Sequence, residues 1–524
     1  MNRRDGSPGR RAAGPPATGR AGSSAHRRAG AAVARRAGRR TLIAGALLFA
    51  LVAGAACSDD PAPAPRPAPS ATGPSAGASG TPLPAGAPVR NPFGAHWDFS
   101  RHDQFVPYLE KLTGSTTYHE LSWCDIEKTQ GSPDFAAVDQ IAERSRKLGI
   151  TLHLKIRTGV CWATGGTAKF TRGQANKTES AMPTDLAAYQ NFVRTLVQRY
   201  APYGVGEYAI ENEVNAQQYW AGSPEDYRRL VTAAAEAIRS ADPKAKVVDS
   251  GMSSVAYGMG VADRLLRAGQ PDQAVAAYQA YFQRRIGTRG RLIPAVNDPT
   301  ALRTALDNAQ NSRNLAYLAV TEKLLDDRVV DVRQLHFYEH FSGVPALLDY
   351  LRAETPSGVP VQAWEVGQFW KDGGDDAAAR GDEMVKVVSM LVAGGIHEVL
   401  WLPLAYNPNN RAGAEVRYGL LDPDGTQRQA GAMMAALAAA ARDATVEPVN
   451  GKGLTGVAFR RGAESTLVVW STSTGTVSLP ATGGVTGGPV GADPTARTGA
   501  LPIGPSPVLV RAQGDPASVL APIR

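Results

Sequence analysis

Short apolar runs alternate with longer amphipathic segments from about Asn91 to Arg442, and this alternation constrains the fold more than any other feature. A strand that is repeatedly followed by a helix predicts parallel βα units rather than an all-β fold or a helix bundle. The eight candidate strands lie near Gly94–Trp97, Thr117–Leu121, Thr151–Ile156, Glu207–Ile210, Lys246–Asp249, Val332–Tyr338, Val361–Glu365 and Val399–Leu402.

Helical segments separate these strands. Eight strands with helices between them, in about 350 residues, match the requirement of a (β/α)8 TIM barrel, which we place at residues 91–442. The stretch Ser254–Asp327 is too long for one crossover, so we interpret 254–327 as a helical insertion that shapes a cleft. The clearest helical patterns cover Phe135–Leu148, Asp185–Tyr200, Pro224–Ser240 and Asp382–Ala393.

The positive charge of the chain is concentrated at its N-terminus. The formal net charge is +8, but residues 1–40 contain eleven arginines against the single acidic residue Asp5. The remainder is therefore nearly neutral. A basic surface for nucleic acid would need its charge on the folded body, so we expect no nucleic-acid partner.

The first 57 residues have the pattern of an export leader. Arg39 and Arg40 precede the apolar run Thr41–Ala56, which is short for a membrane-spanning helix but suits a signal sequence. The run ends in a segment that resembles a lipobox, in which Cys57 would carry lipid, although Gly54 stands where leucine is usual. A lipoprotein, a cleaved secretory signal and an uncleaved anchor all remain open. Each predicts an extracytoplasmic protein that contacts a membrane only through this leader.

Two further regions flank the predicted barrel. Residues 58–90 consist largely of Pro, Ala, Ser and Gly, which predicts a disordered tether. Residues 443–524 contain short β-rich segments between Gly, Pro and Thr turns, which predict a small antiparallel β-sandwich. Its clearest strands are Leu454–Phe459, Thr466–Trp470, Thr476–Leu479 and Pro507–Val510.

The chain has three cysteines, Cys57, Cys124 and Cys161. Export exposes a protein to oxidising conditions, and lipidation of Cys57 would leave an even pair. Cys124 and Cys161 follow neighbouring predicted strands, so a disulfide between them is geometrically possible. Two free thiols are equally compatible with the sequence.

Two glutamates stand at the ends of predicted strands four and seven. Glu213 lies in Tyr208–Asn215 (YAIENEVN), and Glu365 lies in Val361–Gln368 (VQAWEVGQ). The carboxyl ends of the strands form the site in a TIM barrel. Hydrolysis of a glycosidic bond needs two carboxyl groups, one that donates a proton and one that stays ionised. The positions of this pair suit that chemistry.

Further motifs surround this pair: Trp123–Gly131 (WCDIEKTQG) with Asp134 and Phe135, Asn212-Glu213 followed by Trp220, Tyr227 and Asp242-Pro243, and Gly419–Gly425 (GLLDPDG). These motifs and their order resemble the retaining TIM-barrel glycoside hydrolases of clan A, and most closely the β-xylosidase/α-L-iduronidase family. The resemblance spans most of residues 91–440. It implies that Glu213 is the acid/base, that Glu365 is the nucleophile and that Asn212 donates a hydrogen bond to the sugar 2-hydroxyl.

Strand geometry adds expectations around this pair. Adjacent residues of a regular strand point to opposite faces, so Asn212 and Glu213 can both serve one cleft only if the strand ends or bulges there. On strand seven, the same alternation places Val361, Ala363 and Glu365 on one face, with the carboxylate above the two apolar side chains.

Further residues are candidates for binding the sugar. His336 and Tyr338 share a face of strand six, from which Tyr338 can donate a hydrogen bond to Glu365. Trp401 on strand eight resembles the aromatic floor on which a sugar ring stacks, and His96 ends strand one. The clan's arginine on an early strand has no clear counterpart, because His119 occupies the corresponding place.

Other chemistries have weaker support. The eight histidines are scattered and no P-loop is present, so we expect neither a metal nor another cofactor. The sequence therefore predicts a monomeric retaining glycoside hydrolase with a carbohydrate substrate. Two alternatives remain open: a catalytically inactive carbohydrate-binding lipoprotein, and a transglycosidase of envelope polysaccharide assembly.

Overall fold

The structure is a computed structural model, and it describes residues 83, 89–165, 180–287, 292–371, 376–406, 411–412, 415–481, 484–496 and 499–523. The predicted leader (1–57) lies outside these residues, as does the predicted linker (58–90) except for residues 83, 89 and 90. Within the described ranges, no helix is both long enough and apolar enough to cross a membrane.

Parallel strands form the centre of the fold, and each of the eight predicted strands is present. Their bounds are β1 Phe93–Ala95, β2 Thr116–Ser122, β3 Thr151–Arg157, β4 Glu207–Ile210, β5 Lys246–Val248, β6 Arg333–Phe337, β7 Val361–Val366 and β9 Val399–Trp401. They make two four-stranded sheets, in the orders β2-β3-β4-β5 and β1-β9-β7-β6. A small antiparallel sheet joins β8 Phe369–Lys371, β10 Arg411–Ala412 and β11 Glu415–Arg417.

Helices follow the parallel strands, and their ends carry the expected signals. A capping box between Ser223 and Asp226 starts the helix that follows β4, and Pro224 occupies its first turn. The α/β class predicted from the sequence is therefore confirmed. The helices are α1 His102–Leu109, α2 Trp123–Ile126, α3 Ala136–Lys147, α4 Leu186–Tyr200, α5 Pro224–Ala241, α6 Ser254–Arg267, α7 Pro271–Tyr281, α8 Pro299–Leu306, α9 Ala309–Asp326, α10 Val344–Glu354, α11 Ala377–Ala393, α12 Gln429–Ala441 and α13 Pro516–Leu520.

The two parallel sheets approach each other along both edges. On one side, a parallel bridge pairs Val248 with Val332. On the other side, the Thr117 hydroxyl donates to the Ala95 carbonyl over 2.9 Å. Gly94 allows this approach, because a Cβ at that position would lie 2.2 Å from the Thr116 carbonyl oxygen.

The space between the two sheets, which we call the interior, is filled by side chains from both. Burial of each large side chain of this kind contributes about 1.5–3 kcal/mol to stability. The outer faces of the strands pack on the helices, as Leu152, Leu154 and Ile156 of β3 do within the main core. The apolar side chains that meet in the interior are Tyr118, Ala209, Val248, Val332, Trp364 and Leu400.

The C-terminal strands pair antiparallel, as predicted. They form a six-stranded sheet in the order β12-β13-β14-β19-β16-β17 and a two-stranded sheet, β15-β18, and these share one apolar cluster. The other face of the larger sheet joins the main core, where the Phe459 ring lies edge-on to Phe93 at 5.9 Å. The bounds are β12 Thr445–Gly451, β13 Leu454–Arg461, β14 Glu464–Ser471, β15 Val477–Ala481, β16 Thr486–Pro489, β17 Thr495–Ala496, β18 Gly499–Ile503 and β19 Val508–Gln513.

Candidate active site

Glu213 lies in the loop that follows β4. The strand ends at Ile210, and the backbone is left-handed at Glu211 (φ 67°) and at Glu213 (φ 39°). Such a conformation in a non-glycine residue costs about 1–3 kcal/mol and is concentrated at functional sites. The expectation that the strand must end before Asn212 and Glu213 is therefore confirmed.

Glu365 reaches the interior through a β-bulge in β7. Between paired positions, β7 has one residue more than β6, because Gln334 pairs with Gln362 and His336 pairs with Glu365. The ladder with β9 shows the same irregularity, since Ala363 pairs with Val399 and Val366 with Trp401. A bulge of this kind redirects the side chains that follow it.

The bulge corrects the prediction that Val361, Ala363 and Glu365 share one face. Val361 and Ala363 belong to the main core, whereas Trp364 lies in the interior and stacks on His153 at 4.9 Å. The extra residue then lets Glu365 also point inward. Strict alternation, on which the prediction rested, does not hold across a bulge.

The structure brings Glu213 and Glu365 together around His336. The His336 Nδ1 atom lies 2.8 Å from Glu213 Oε1 and 3.4 Å from Glu365 Oε2. Ligand-type atoms of the three residues all lie within 4.8 Å of one another. The two carboxyl side chains remain 15% and 10% exposed, whereas His336 is fully buried. The pair therefore lies at the bottom of an opening to solvent.

Three donors surround the Glu365 carboxylate. Tyr338 donates its hydroxyl to Oε2 over 2.9 Å, which confirms the predicted contact, and Tyr118 donates to Oε1 over 2.9 Å. Lys155 donates to Oε1 over 3.2 Å and to Asn212 Oδ1 over 2.6 Å. Burial and the nearby Glu365 raise the pKa of Tyr118 well above its ordinary value, so this tyrosine remains a donor.

The remaining two predicted residues differ in their access to the site. The His96 ring stacks on Tyr118 at 4.4 Å and so lies next to a ligand of Glu365. Trp401 is fully buried, and its indole N–H donates to the Tyr418 carbonyl over 2.9 Å. Its ring presents no open face in this conformation, so the geometry gives no support to the predicted sugar-stacking floor.

Sequence reasoning missed Tyr118, Lys155 and Glu120. The signal for Lys155 is the polar face of β3, on which it alternates with leucine and isoleucine. That pattern ordinarily indicates a solvent-facing surface, but here the polar face points into the interior. Lys155 also places a cation next to Glu365. The sequence analysis found no arginine on an early strand that could do so.

Glu120 and Glu211 flank the buried guanidinium of Arg157. Arg157 donates to Glu120 Oε1 over 3.2 Å, and its Nε lies 3.7 Å from Glu211 Oε2. Burial raises the pKa of Glu120, but Arg157 and Lys155 together outweigh this effect and hold that pKa below its usual value. In Glu211, which also accepts from the Thr158 amide, burial dominates and raises the pKa.

A disulfide joins Cys124 in α2 to Cys161 in the loop after β3, with 5.6 Å between their α-carbons. The structure thereby resolves the two possibilities that the sequence left open. Gly159 allows the loop after β3 to approach α2, because a Cβ there would lie 2.8 Å from Cys124 Cβ. The neighbouring Trp162 is 36% exposed and donates its indole N–H to the Glu127 carbonyl.

Two groups in the described part of the chain have a spacing that could hold a metal ion: Glu213 with His336 and Glu365, and His153 with Glu207 and Glu398. In each group a histidine nitrogen lies 2.8 Å from a carboxylate oxygen, so hydrogen bonding accounts for the contact. The expectation of no cofactor stays a prediction.

Comparison with known proteins gives structural matches but no sequence matches. Neither a protein-family model nor a curated protein matches the chain. A family 39 glycoside hydrolase from the gut symbiont Bacteroides cellulosilyticus superposes with a TM-score of 0.54 and 13% identity, over 80% of this chain and 81% of that one.

Two other solved structures are similar to a comparable degree. A glucosidase from Croceicoccus marinus gives a TM-score of 0.52 at 12% identity, and a family 39 β-xylosidase from Caulobacter crescentus gives 0.51 at 13%. Each comparison covers 82% of this chain and 97% of the other. The structural neighbours are thus glycoside hydrolases, as the sequence motifs suggested, and identities this low speak to fold alone. The chain adopts the fold of the family 39 glycoside hydrolases.

Proposed function

We propose that this protein is a retaining glycoside hydrolase that cleaves O-glycosidic bonds of an oligo- or polysaccharide by double displacement. The observation that carries the proposal is the convergence of Glu213 and Glu365, whose oxygens approach within 4.8 Å across the interior. Retaining enzymes hold their carboxyl groups about 5–5.5 Å apart, whereas inverting enzymes leave room for a water molecule at about 6.5–9.5 Å. The spacing favours retention.

In the first step, Glu365 attacks the anomeric carbon while Glu213 protonates the leaving oxygen. Tyr118, Tyr338 and Lys155 all donate to Glu365, and such donors stabilise a carboxylate and fix its direction. In the second step, Glu213 removes a proton from water, which attacks the glycosyl-enzyme and releases a sugar of unchanged anomeric configuration.

His336 and Asn212 position the reacting groups. One edge of the His336 ring contacts both carboxyls, so it holds the acid and the nucleophile at a fixed separation. Because Asn212 accepts from Lys155 through Oδ1, its side-chain NH₂ is oriented away from that contact and can donate to the sugar 2-hydroxyl. His96 lies next to the reacting groups, because its ring stacks on Tyr118, which donates to Glu365.

We further propose that the two parallel sheets close into a (β/α)8 barrel, with a β-sandwich following it. The Val248–Val332 bridge and the close approach of β1 to β2 at Gly94 support closure. The Cys124–Cys161 disulfide supports an oxidising compartment, in agreement with the predicted export or lipoprotein leader. The protein would then act outside the cytoplasm, either secreted or tethered through Cys57.

The test is a panel of aryl glycosides that differ in sugar and anomeric configuration, with NMR of the first-formed anomer. The wild type should release a retained sugar from at least one glycoside. Glu365→Ala should lower kcat roughly 10⁴-fold or more, and azide should restore turnover with a glycosyl azide of inverted configuration. The exposed Glu225→Ala variant is the matched control and should be unaffected.

Other outcomes separate the alternatives. Glycan binding without turnover, unchanged by substitution of either glutamate, would favour a catalytically inactive carbohydrate-binding protein. Transfer of the sugar to an added glycan in preference to water would favour a transglycosidase. Release of an inverted sugar by the wild type would contradict the proposal.

A further inference from the structure

We propose that Glu120 is a substrate-binding carboxylate that selects sugars presenting hydroxyl donors and excludes uronic acids. This inference rests on the proposed glycosidase function and adds the chemical class of its substrate. It depends on the position of Glu120, on the hydrogen bonding of its two carboxylate oxygens and on the charges around the opening.

The strand geometry places Glu120 over the catalytic pair. Glu120 lies two residues beyond Tyr118 on β2, which puts it on the same face and about 7 Å closer to the carboxyl end. Tyr118 donates to Glu365, and the residue paired with Glu120 on β3 is Lys155, whose ammonium also contacts Glu365. Glu120 therefore belongs to the wall of the same opening.

One oxygen of Glu120 is held by the protein and the other is open. Oε1 accepts from Arg157 over 3.2 Å, whereas Oε2 has no hydrogen-bond partner among the residues that the structure describes. The side chain is 34% exposed, while Arg157 beneath it is 2% exposed. An ionised carboxylate accepts hydrogen bonds and cannot donate them, so its ligand must supply a donor.

A structural salt bridge with Arg157 does not account for this arrangement. Arg157 already lies near the fully buried Glu211, and it donates to the Ser180 hydroxyl and the Tyr219 carbonyl. The guanidinium charge is therefore shared between two carboxyl groups, and it engages only one oxygen of Glu120. The open carboxylate is thus free to bind a ligand.

The charge around the opening determines which sugars it accepts. Glu120, Glu213 and Glu365 all face it, and Lys155 and Arg157, which are cations of the described residues next to these carboxylates, already contact them. Hydroxyl groups can donate to an ionised Glu120, and charged hydrogen bonds of this kind are the strong ones. A substrate carboxylate would instead be repelled. The site suits a neutral sugar.

The first test uses the wild type and matched aryl glycosides that share configuration and leaving group, such as glucoside with glucuronide and galactoside with galacturonide. We expect kcat/KM for the better neutral substrate to exceed that of its uronide by at least about 100-fold, the size of discrimination that unpaired or repelled groups produce in a polar site. This comparison uses the wild type alone, so its result does not depend on whether a variant folds.

The second test uses Glu120→Gln, which keeps the shape and removes the charge. We expect kcat/KM for the neutral substrate to fall about 10- to 100-fold. The ratio of kcat/KM for the neutral substrate to kcat/KM for the uronide should also decrease. Glu143→Gln on α3, whose carboxylate pairs with Arg146 on the outer surface, is the matched control and should change neither value. Thermal unfolding checks that both variants are folded.

The outcomes distinguish this inference from the function on which it rests. Retaining turnover with a preference for the uronide, or a Glu120→Gln variant with unchanged kinetics and selectivity, would overturn the role of Glu120 and leave the glycosidase intact. An absence of wild-type turnover on every glycoside would overturn both.

Discussion

Lys155 has a fully buried ammonium group that contacts three components of the site. It donates to Asn212 and Glu365, and it lies 4.5 Å from the centre of the Tyr118 ring. A buried cation is tolerated only when it is paired and hydrogen-bonded. Lys155 is therefore placed to hold the nucleophile and its neighbour in one geometry, and its removal would leave the Glu365 charge less well compensated.

Substitution Lys155→Met tests this positioning role. It keeps the apolar stem and removes the charge, so we expect kcat to fall at least about 100-fold, in line with a loss of 2.7 kcal/mol or more of electrostatic stabilisation. The acidic limb of the pH–rate profile should also move to higher pH, which a purely structural defect would not cause. The exposed Lys147→Met is the control. An unchanged profile in a folded variant would contradict the role.

Asp249 provides a test of pH dependence. Burial raises its pKa from 3.8 to about 6, even though the Gly251 amide donates to it. The folded protein thus binds this proton more tightly than the unfolded chain. The stability that protonated Asp249 contributes is complete below the pKa of this side chain in the unfolded chain. It is lost as the pH rises through the pKa of the same side chain in the folded protein.

At pH 7.5 the ionised Asp249 should cost up to about 3 kcal/mol relative to acidic conditions. Asp249→Asn cannot ionise and so does not lose stability in this way. The free energy of unfolding of the variant, minus that of the wild type, should therefore increase between pH 4 and pH 7.5. Urea denaturation at the two pH values measures this difference, with Asp272→Asn at the exposed start of α7 as control. An equal difference at both pH values would contradict the assignment.

The residues that sequence reasoning found differ in kind from those that it missed. Glu213 and Glu365 stand at strand ends inside recognisable motifs, so chain order alone located them. Tyr118 and Lys155 lie within strands, where a polar residue has two possible faces. Their contacts with Glu365 depend on how the two sheets face each other, and this is a property of the assembled fold.

At the scale of elements, β3 shows why alternation is insufficient. Its apolar residues alternate with His153, Lys155 and Arg157, which by itself indicates a strand with one solvated face. In the structure, the apolar face packs on helices and the polar face lies between the sheets. The position of the strand followed from its pattern, but the direction of its polar face depended on the neighbouring helices.

The bulge in β7 is a second feature that the sequence did not reveal. No glycine or proline marks Val361–Val366, and the extra residue becomes visible only when the strand is paired with β6 and β9. The eight strands themselves could be predicted because their length and composition are local properties. The register between them is not local, and it decides where Glu365 points.

The disulfide that links α2 to the loop after β3 should increase the free energy of unfolding. Cys124 and Cys161 are 37 residues apart, and closing a loop of this length in the unfolded chain corresponds to about 3–4 kcal/mol. A Cys124→Ser, Cys161→Ser variant should lose about that much unfolding free energy in urea denaturation.

A reducing agent provides the control for this prediction. It should lower the stability of the wild type by a similar amount and leave the double variant unchanged. A loss below about 1 kcal/mol in the variant would show that the link contributes little to the folded state.

At the scale of the whole molecule, the site depends on the meeting of two separate sheets. Glu213 follows β4 in the sheet β2-β3-β4-β5, and Glu365 belongs to β7 in the other sheet. The C-terminal antiparallel sheet packs on the same core through Phe459. The order of the elements, parallel strands with helices and then antiparallel strands, could be predicted from the sequence. The export leader and the tether lie outside the described residues and stay predictions.

The central claim is that Glu365 forms a covalent bond to the sugar while Glu213 faces it from the loop that follows β4. The most direct measurement is mass spectrometry of peptides from enzyme treated with a 2-deoxy-2-fluoro glycosyl fluoride of the sugar that the wild type hydrolyses. Such a reagent slows release of the glycosyl-enzyme. We predict one fluorosugar per chain, attached to Glu365. Attachment to any other residue, or hydrolysis of the parent glycoside with inversion and no covalent adduct, would contradict the account.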